Sequence, residues 1–185
     1  PVFSHIKPHA PRYTDKGFKI IALFDGQFKR VLEIYEANKK DEKPEPPRKA
    51  INSDSQIPST LIPFTPEEGL EMSDMVQLRL EEWVGFKLKP TYQYGFRNYK
   101  HGTSLSIHRD TEDTHIIGVV INIAQNTNSD WALNMEDNYN HKHEILLQPQ
   151  CMVFYEGSRL LHGRVQPLDG DSYVNLFLHF KPKEI

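Results

Sequence analysis

"SIHRDTEDTH" (residues 106–115) runs straight into "IIGVVINI" (116–123), and the reading of this stretch decides the fold. The second half is an apolar run of strand length, rich in Ile and Val, which marks a buried strand. The first half places His108 and Asp110 in an H-x-D pair. On an extended chain, residues two apart share a face. One imidazole and one carboxylate therefore project together into whatever the strands enclose. With nine His in 185 residues, so short a pair arises by chance too often to stand alone, and its surroundings have to decide.

Those surroundings are β. From residue 87 onward "LKPTYQYGFRNY", "HIIGVVINIAQ", "HEILLQ", "CMVFYEG" and "SYVNLFLHF" are short strand-like runs separated by turn-rich segments. Strands at this spacing predict an antiparallel sandwich or barrel. Upstream, "FKIIALFDG" (18–26) reads as a buried strand ending in an Asp-Gly turn. The following segment carries Phe28, Val31, Leu32 and Tyr35 on one helical face. A second helix begins at "TPEEGLEMSDMV", with Thr65 as N-cap, Pro66 in the first turn and Glu68 completing a capping box; Gly85 stops it, and a start at Ser73 is the alternative. Between the helices, residues 37–64 are rich in Pro, Lys, Glu and Ser and read as a long loop, either a lid or a disordered connection. The expected class is mainly β with flanking helices (α+β). It forms one domain over 1–185, with residues 1–84 supporting a β core at 85–182.

Composition narrows the function. Twenty-two basic and 25 acidic residues give a net charge of -3, too balanced to favour nucleic acid or an anionic membrane surface. No apolar run reaches membrane-spanning length. Cys151 is the only cysteine, which excludes an internal disulfide and a Cys-rich zinc site. With no signal-like segment at Pro1, a cytoplasmic setting is slightly favoured.

A metal needs a third ligand, and elimination selects it. His5 and His9 lie in a Pro-rich leader, His101 in the "YKHGTS" turn, and His141 and His143 beside a polar hairpin. His179 is a core or supporting residue of the last strand. His162, ending an apolar run before Gly163, is separated from His108 by several strands, as expected of a ligand across the barrel. Two His and one carboxylate leave open positions on Fe(II) for a cosubstrate and dioxygen.

"YKHGTSLSIHRD", "HIIGVVINIAQ", "DWAL" and "FYEGSRLLHGRVQPLDGDSYVNLFLHFKP" together resemble the prolyl 4-hydroxylase-like group of Fe(II)/2-oxoglutarate-dependent dioxygenases. The spacing Tyr99-x2-Gly102-x2-Leu105-x2-His108-x-Asp110 is similar to that group's approach to its first metal ligands. The resemblance covers roughly residues 85–182. It implies a double-stranded β-helix (jelly-roll, cupin-like) with Fe(II) held by His108, Asp110 and His162. It further implies dioxygen and 2-oxoglutarate as cosubstrates, succinate as product, hydroxylation of a C–H bond, and ascorbate as a candidate supporting reductant. The substrate it favours is a prolyl residue in a peptide or protein. A free amino acid or other small metabolite is the alternative.

One departure stands out. Relatives place Arg or Lys on the closing strand to pair with the far carboxylate of 2-oxoglutarate. Here Asp171, Ser172 and Tyr173 occupy that place. Arg97, which shares strand parity with Gln93 and Tyr99, and Arg164, two residues past His162, are the candidate replacements. Tyr99 is a candidate hydrogen-bond donor to the same ligand, and Ser172 a candidate contact. Without a replacement cation, the chain would be a non-catalytic metal-binding β-barrel module.

Overall fold

The computed structural model describes residues 10–184. The leader containing His5 and His9 lies outside the described residues. Twelve strands and two helices follow in chain order. They are β1 (Phe18–Ala22), α1 (Asp25–Asn38), β2 (Lys43–Pro44), β3 (Ile51–Asn52), β4 (Ser59–Ile62), α2 (Pro66–Val84), β5 (Leu88–Tyr99), β6 (Ser104–His108), β7 (Ile117–Thr127), β8 (Leu133–Glu136), β9 (Lys142–Ile145), β10 (Cys151–Tyr155), β11 (His162–Arg164) and β12 (Gly170–Pro182). They form two antiparallel sheets, ordered β1-β10-β7-β12-β5-β4-β2 and β3-β6-β11-β8-β9. This is a double-stranded β-helix. No helix among the described residues is long and apolar enough to cross a membrane.

Strand alternation builds two cores from the same strands. On β7, Ile117, Val119, Ile121 and Ile123 turn outward to meet α1 and α2, as do Val174, Leu176, Leu178 and Phe180 of β12. Their neighbours Val120, Val153 and Tyr155 turn inward, against Leu133, Met135 and Ile145 of the smaller sheet. Val31, Ile34 and Tyr35 of α1 and Met72, Val76 and Leu80 of α2 complete the outer core. At Leu, Ile or Met, each such burial contributes about 1.5–3 kcal/mol.

The cap residues of α2 behave as expected. The Glu68 amide donates to Thr65 Oγ1 at 3.1 Å, the Thr65 amide donates to Glu68 Oε2 at 3.0 Å, and Gly85 ends the helix at φ 88°. The start is therefore at Thr65, and Ser73 lies buried mid-helix. Two expectations need correcting. β1 is an exposed edge strand rather than a buried one, and Asp25-Gly26 opens α1 instead of turning. Residues 37–64 are also more ordered in plan than a loop. β4 joins the large sheet beside β5, while β2 pairs with β4 and β3 pairs with β6 of the small sheet. The Pro-rich piece between β2 and β3 thus crosses from one sheet edge to the other as a strap.

Candidate metal centre and cavity

β6 and β11 are neighbours, and His108 and His162 are register partners. This corrects the expectation of a ligand across the barrel. His162 lies far away in sequence but on the adjacent strand, because the fold inserts β11 between β6 and β8. The two imidazole centroids are 4.6 Å apart. Asp110 sits just past the end of β6, its amide donating to the Gly157 carbonyl at 2.9 Å. That bond turns the carboxylate back toward the histidines, with Oδ1 3.3 Å from His108 Nε2 and 3.4 Å from His162 Nε2.

Each histidine is oriented by its own backbone. His108 Nδ1 lies 2.7 Å from the Ser106 carbonyl, and His162 Nδ1 lies 2.8 Å from the Leu160 carbonyl. A carbonyl only accepts, so Nδ1 carries a proton and both Nε2 atoms face Asp110, where each donates to the carboxylate when its ring is protonated and offers a lone pair to a metal when its ring is neutral. Donor atoms of all three residues lie within 4.8 Å of one another. Metal–ligand bonds of about 2.0–2.2 Å at right angles require neighbouring donors about 3 Å apart, so the three residues fit one face of an octahedral cation. Burial alone would raise the Asp110 carboxyl, but His162 and His108 hold it well below the usual range. The His108 imidazole is raised: burial opposes this, and Asp110 and the Ser106 carbonyl outweigh it.

Two residues that the sequence did not single out complete this corner. The Tyr155 hydroxyl donates to Asp110 Oδ2 at 3.3 Å, leaving Oδ1 for the ligand position. Burial, then Asp110, pushes that phenol well above its ordinary value, so it stays a donor. Gly157 leaves room, since a Cβ there would stand 2.5 Å from Asp110 Oδ2.

The triad opens into a cavity of ≈ 290 Å³. Arg164 lies in its wall, 1% exposed. It shares a strand face with His162, its guanidinium is 4.4 Å from the Trp131 ring and 4.7 Å from the Tyr173 ring, and its Nη1 donates to the Trp131 carbonyl at 2.7 Å. Asn175, with its amide oxygen turned toward Arg164, accepts from Nη2 at 3.3 Å. Among the described residues no carboxylate lies within ion-pair distance of Arg164. Arg97 differs. It is held by Glu45 of the strap, with Nη2 donating at 2.8 Å and Nε at 2.9 and 3.1 Å, and its Nη1 donates to the Tyr99 hydroxyl at 3.3 Å. The Glu45 side chain is 0% exposed. Burial would raise its carboxyl, and Arg97 and Ser59 pull it below the usual value. Ser172 stands apart from the cavity: Tyr173 faces Arg164, and alternation turns Ser172 away.

Strand parity on β5 also needs correcting. The expected parity grouped Gln93 with Arg97 and Tyr99, and regular alternation would then turn Tyr92 and Tyr94 the other way. A β-bulge at Gly95 breaks that alternation: Leu176 pairs with Phe96, but Leu178 pairs with Gln93. Gly95 takes φ 132°, and a Cβ there would come within 2.7 Å of Leu61 Cδ1. The extra residue resets the pleat, so Tyr92 and Tyr94 line the cavity along with Arg97 and Tyr99. His115 and His179 join them, with ring centroids 3.8 Å apart. Burial, then the neighbouring His115, pushes His179 down to about 4. At neutral pH it is uncharged, and its Nδ1 donates to the Tyr92 carbonyl at 3.3 Å. Asn122 lies fully buried, giving its amide to the Val174 carbonyl at 3.2 Å, and Trp131 is buried beside Tyr99 and Tyr173.

No protein-family model matches the sequence, and no curated protein matches it. Solved structures do match, and the likeness is one of fold, the double-stranded β-helix; a 2OG-Fe(II) oxygenase family protein from Burkholderia pseudomallei is among them. A prolyl-4-hydroxylase from Pseudomonas putida superimposes with a TM-score of 0.64 at 14% identity, covering 91% of this chain and 94% of that one. A Trichoplax adhaerens prolyl hydroxylase, solved with a peptide fragment of hypoxia inducible factor, gives 0.60 at 15% identity, covering 90% and 84%. HygX from Streptomyces hygroscopicus, solved with nickel, 2-oxoglutarate and hygromycin B, gives 0.61 at 10% identity, covering 91% and 84%.

Proposed function

We propose that this chain is an Fe(II)- and 2-oxoglutarate-dependent dioxygenase that hydroxylates a C–H bond of a prolyl residue or of a related small molecule. The observation that carries the reading is the pairing, in one cavity, of a His108–Asp110–His162 face with a buried arginine, Arg164, that has no carboxylate partner among the described residues. His108, Asp110 and His162 would hold the metal. When bound, Fe(II) supplies the redox chemistry by which dioxygen, 2-oxoglutarate and R–H become succinate, carbon dioxide and R–OH.

The protein's own part is to bind, orient and exclude. A buried dianion needs a partner charge, and Arg164 offers it from β11 in place of the closing strand. Of the two candidates, Arg97 is already neutralised by Glu45, so Arg164 is assigned the far carboxylate. The Tyr99 hydroxyl accepts from Arg97, which leaves its own proton to donate into the cavity. Trp131, Leu133 and Phe177 keep water from that end. Tyr155 holds Oδ2 of Asp110, so the carboxylate presents a single oxygen to the metal.

A second reading, a free amino acid or small metabolite as substrate, is favoured by the cations at the cavity mouth. The test of the dioxygenase reading itself is direct. Anaerobic Fe(II) with 2-oxoglutarate is expected to give a weak visible charge-transfer band, and admission of air to release succinate. Absence of both, with folded protein, overturns the proposal.

A further inference from the structure

Among the described residues, four cationic side chains line the cavity, Arg48, Lys49, Arg97 and Arg164, against the single carboxylate Asp110. Glu45 adds one more negative charge behind the wall, shared between Arg97, whose Nη2 is 2.8 Å away, and Arg48, whose Nε is 3.4 Å away. A divalent metal and a dianionic cosubstrate cancel each other. The loaded cavity therefore keeps a surplus of two positive charges, on the side where Arg48, Lys49 and Arg97 share the single carboxylate of Glu45. Fields of this kind concentrate an anion.

Beneath Arg48 lies an aromatic wall. Its guanidinium stands 4.4 Å from the Tyr94 ring, and its Nε donates to the Tyr94 hydroxyl at 3.2 Å. Tyr94 stacks with Tyr92 at 5.9 Å, and Tyr92 meets His115 at 5.6 Å. Tyr92 faces the cavity yet stays 42% exposed. A run of rings beside a metal site, open at Tyr92, is suited to an apolar group that a ligand brings. The strap spans from one sheet edge to the other over this mouth, which favours a small molecule or a chain end over the middle of a long peptide.

We propose that the Tyr92–Tyr94–His115–His179 wall, with Arg48 above it, receives a substrate bearing a carboxylate next to an apolar ring: a free proline-like amino acid or a chain ending in proline. This rests on the dioxygenase reading. Arg48 binds the carboxylate, and the wall holds the ring toward the metal. A neutral, internal prolyl segment would leave the surplus charge unmatched.

The probes are N-acetyl-L-proline and N-acetyl-L-prolinamide, alike in shape and different in charge. Full-length protein is loaded with Mn(II) and 2-oxoglutarate, and paramagnetic relaxation of each probe's ring protons is titrated. The carboxylate probe is expected to half-saturate at about tenfold lower concentration than the amide, the worth of one charge-assisted hydrogen bond at a partly exposed site. Arg48→Gln is expected to bring the two within about twofold while 2-oxoglutarate affinity holds. Equal relaxation by the two probes, relaxation by neither with 2-oxoglutarate bound, or a preference that survives Arg48→Gln overturns the assignment. An equal loss for both probes in Arg48→Gln also overturns it, since that marks a structural role. If 2-oxoglutarate itself fails to bind, the dioxygenase reading falls and takes this one with it.

Discussion

His108 and His162 are cross-strand partners on β6 and β11, and each donates Nδ1–H to the carbonyl two residues before it. Two adjacent strands thus aim two Nε2 atoms at one point before any metal arrives. Such preorganisation fixes the tautomer and removes most of the ordering cost of binding. The expected outcome is that His162→Ala or Asp110→Ala weakens Mn(II) binding by at least about 100-fold, while far-ultraviolet circular dichroism stays unchanged. Calorimetric titration checks it, and a loss of under about tenfold in both variants would count against the triad.

Arg164 and Arg97 separate in a second experiment. Removing a bidentate charge-assisted partner from a buried carboxylate costs about 3 kcal/mol, or roughly 100-fold in affinity. Arg164→Gln is expected to weaken 2-oxoglutarate binding by that factor and to leave Mn(II) binding intact, with Arg164→Lys intermediate. Arg97→Gln is expected to change 2-oxoglutarate affinity by less than about threefold, because Arg97 already spends its charge on Glu45. A reversed order of the two variants would move the carboxylate to Arg97.

Local patterns were legible in the sequence where one residue's neighbours in sequence are also its neighbours in space. The capping box at Thr65, the strand-like runs that became β7 and β12, and H-x-D at His108 all belong to that kind. Arg164 was narrowed to one of two candidates for the same reason, since it rides two residues behind His162. What stayed hidden depends on pairing between distant segments. Glu45 gives no sign that it will neutralise Arg97 across 52 residues. Nothing in "CMVFYEG" marks Tyr155 and Gly157 as the support of Asp110. Gly95 was the one available signal on β5, because a glycine inside a strand pattern points to a bulge. Read as regular alternation, the strand sent Tyr92 and Tyr94 to the wrong face.

That glycine supports its own prediction. Gly95→Ala forces a side chain into φ 132° and against Leu61 Cδ1 at 2.7 Å and the Ile62 carbonyl at 3.1 Å. The cost is about 1–3 kcal/mol of strain, expected as a melting temperature lower by about 2–10 °C in a domain of this size. Differential scanning calorimetry measures it. An unchanged melting temperature would mean that the bulge is not fixed by the glycine.

Gly157→Ala tests the metal corner without touching a ligand. Its Cβ would come 2.5 Å from Asp110 Oδ2 and 3.1 Å from the His115 carbonyl, so the carboxylate must swing away from the histidines. Mn(II) affinity is expected to fall by about 10–100-fold, the range found when a residue supporting a ligand is altered. Calorimetric titration reads it, and full affinity would show that Asp110 has a second arrangement open to it.

Glu45 ties the strap to acid. Its carboxyl lies below the ordinary value because Arg97 and Ser59 outweigh burial. A depressed carboxyl contributes stability that is complete above the unfolded value of about 4.3 and is lost as pH falls through the folded value. The strap is therefore expected to stay pinned from neutrality down to about pH 4 and to loosen below that. Other depressed carboxylates, Asp110 and Asp137 among them, add to global acid sensitivity, so the readout must be local. Amide exchange at Glu45 and Ile51, whose N–H groups donate to the Ser59 and Arg48 carbonyls, is expected to accelerate in that window. Glu45→Gln leaves Arg97 buried beside a neutral amide. It is expected to raise exchange at pH 7, at a cost of about 3 kcal/mol, and to flatten the local acid response. An acid response unchanged in the variant would place the titrating group elsewhere.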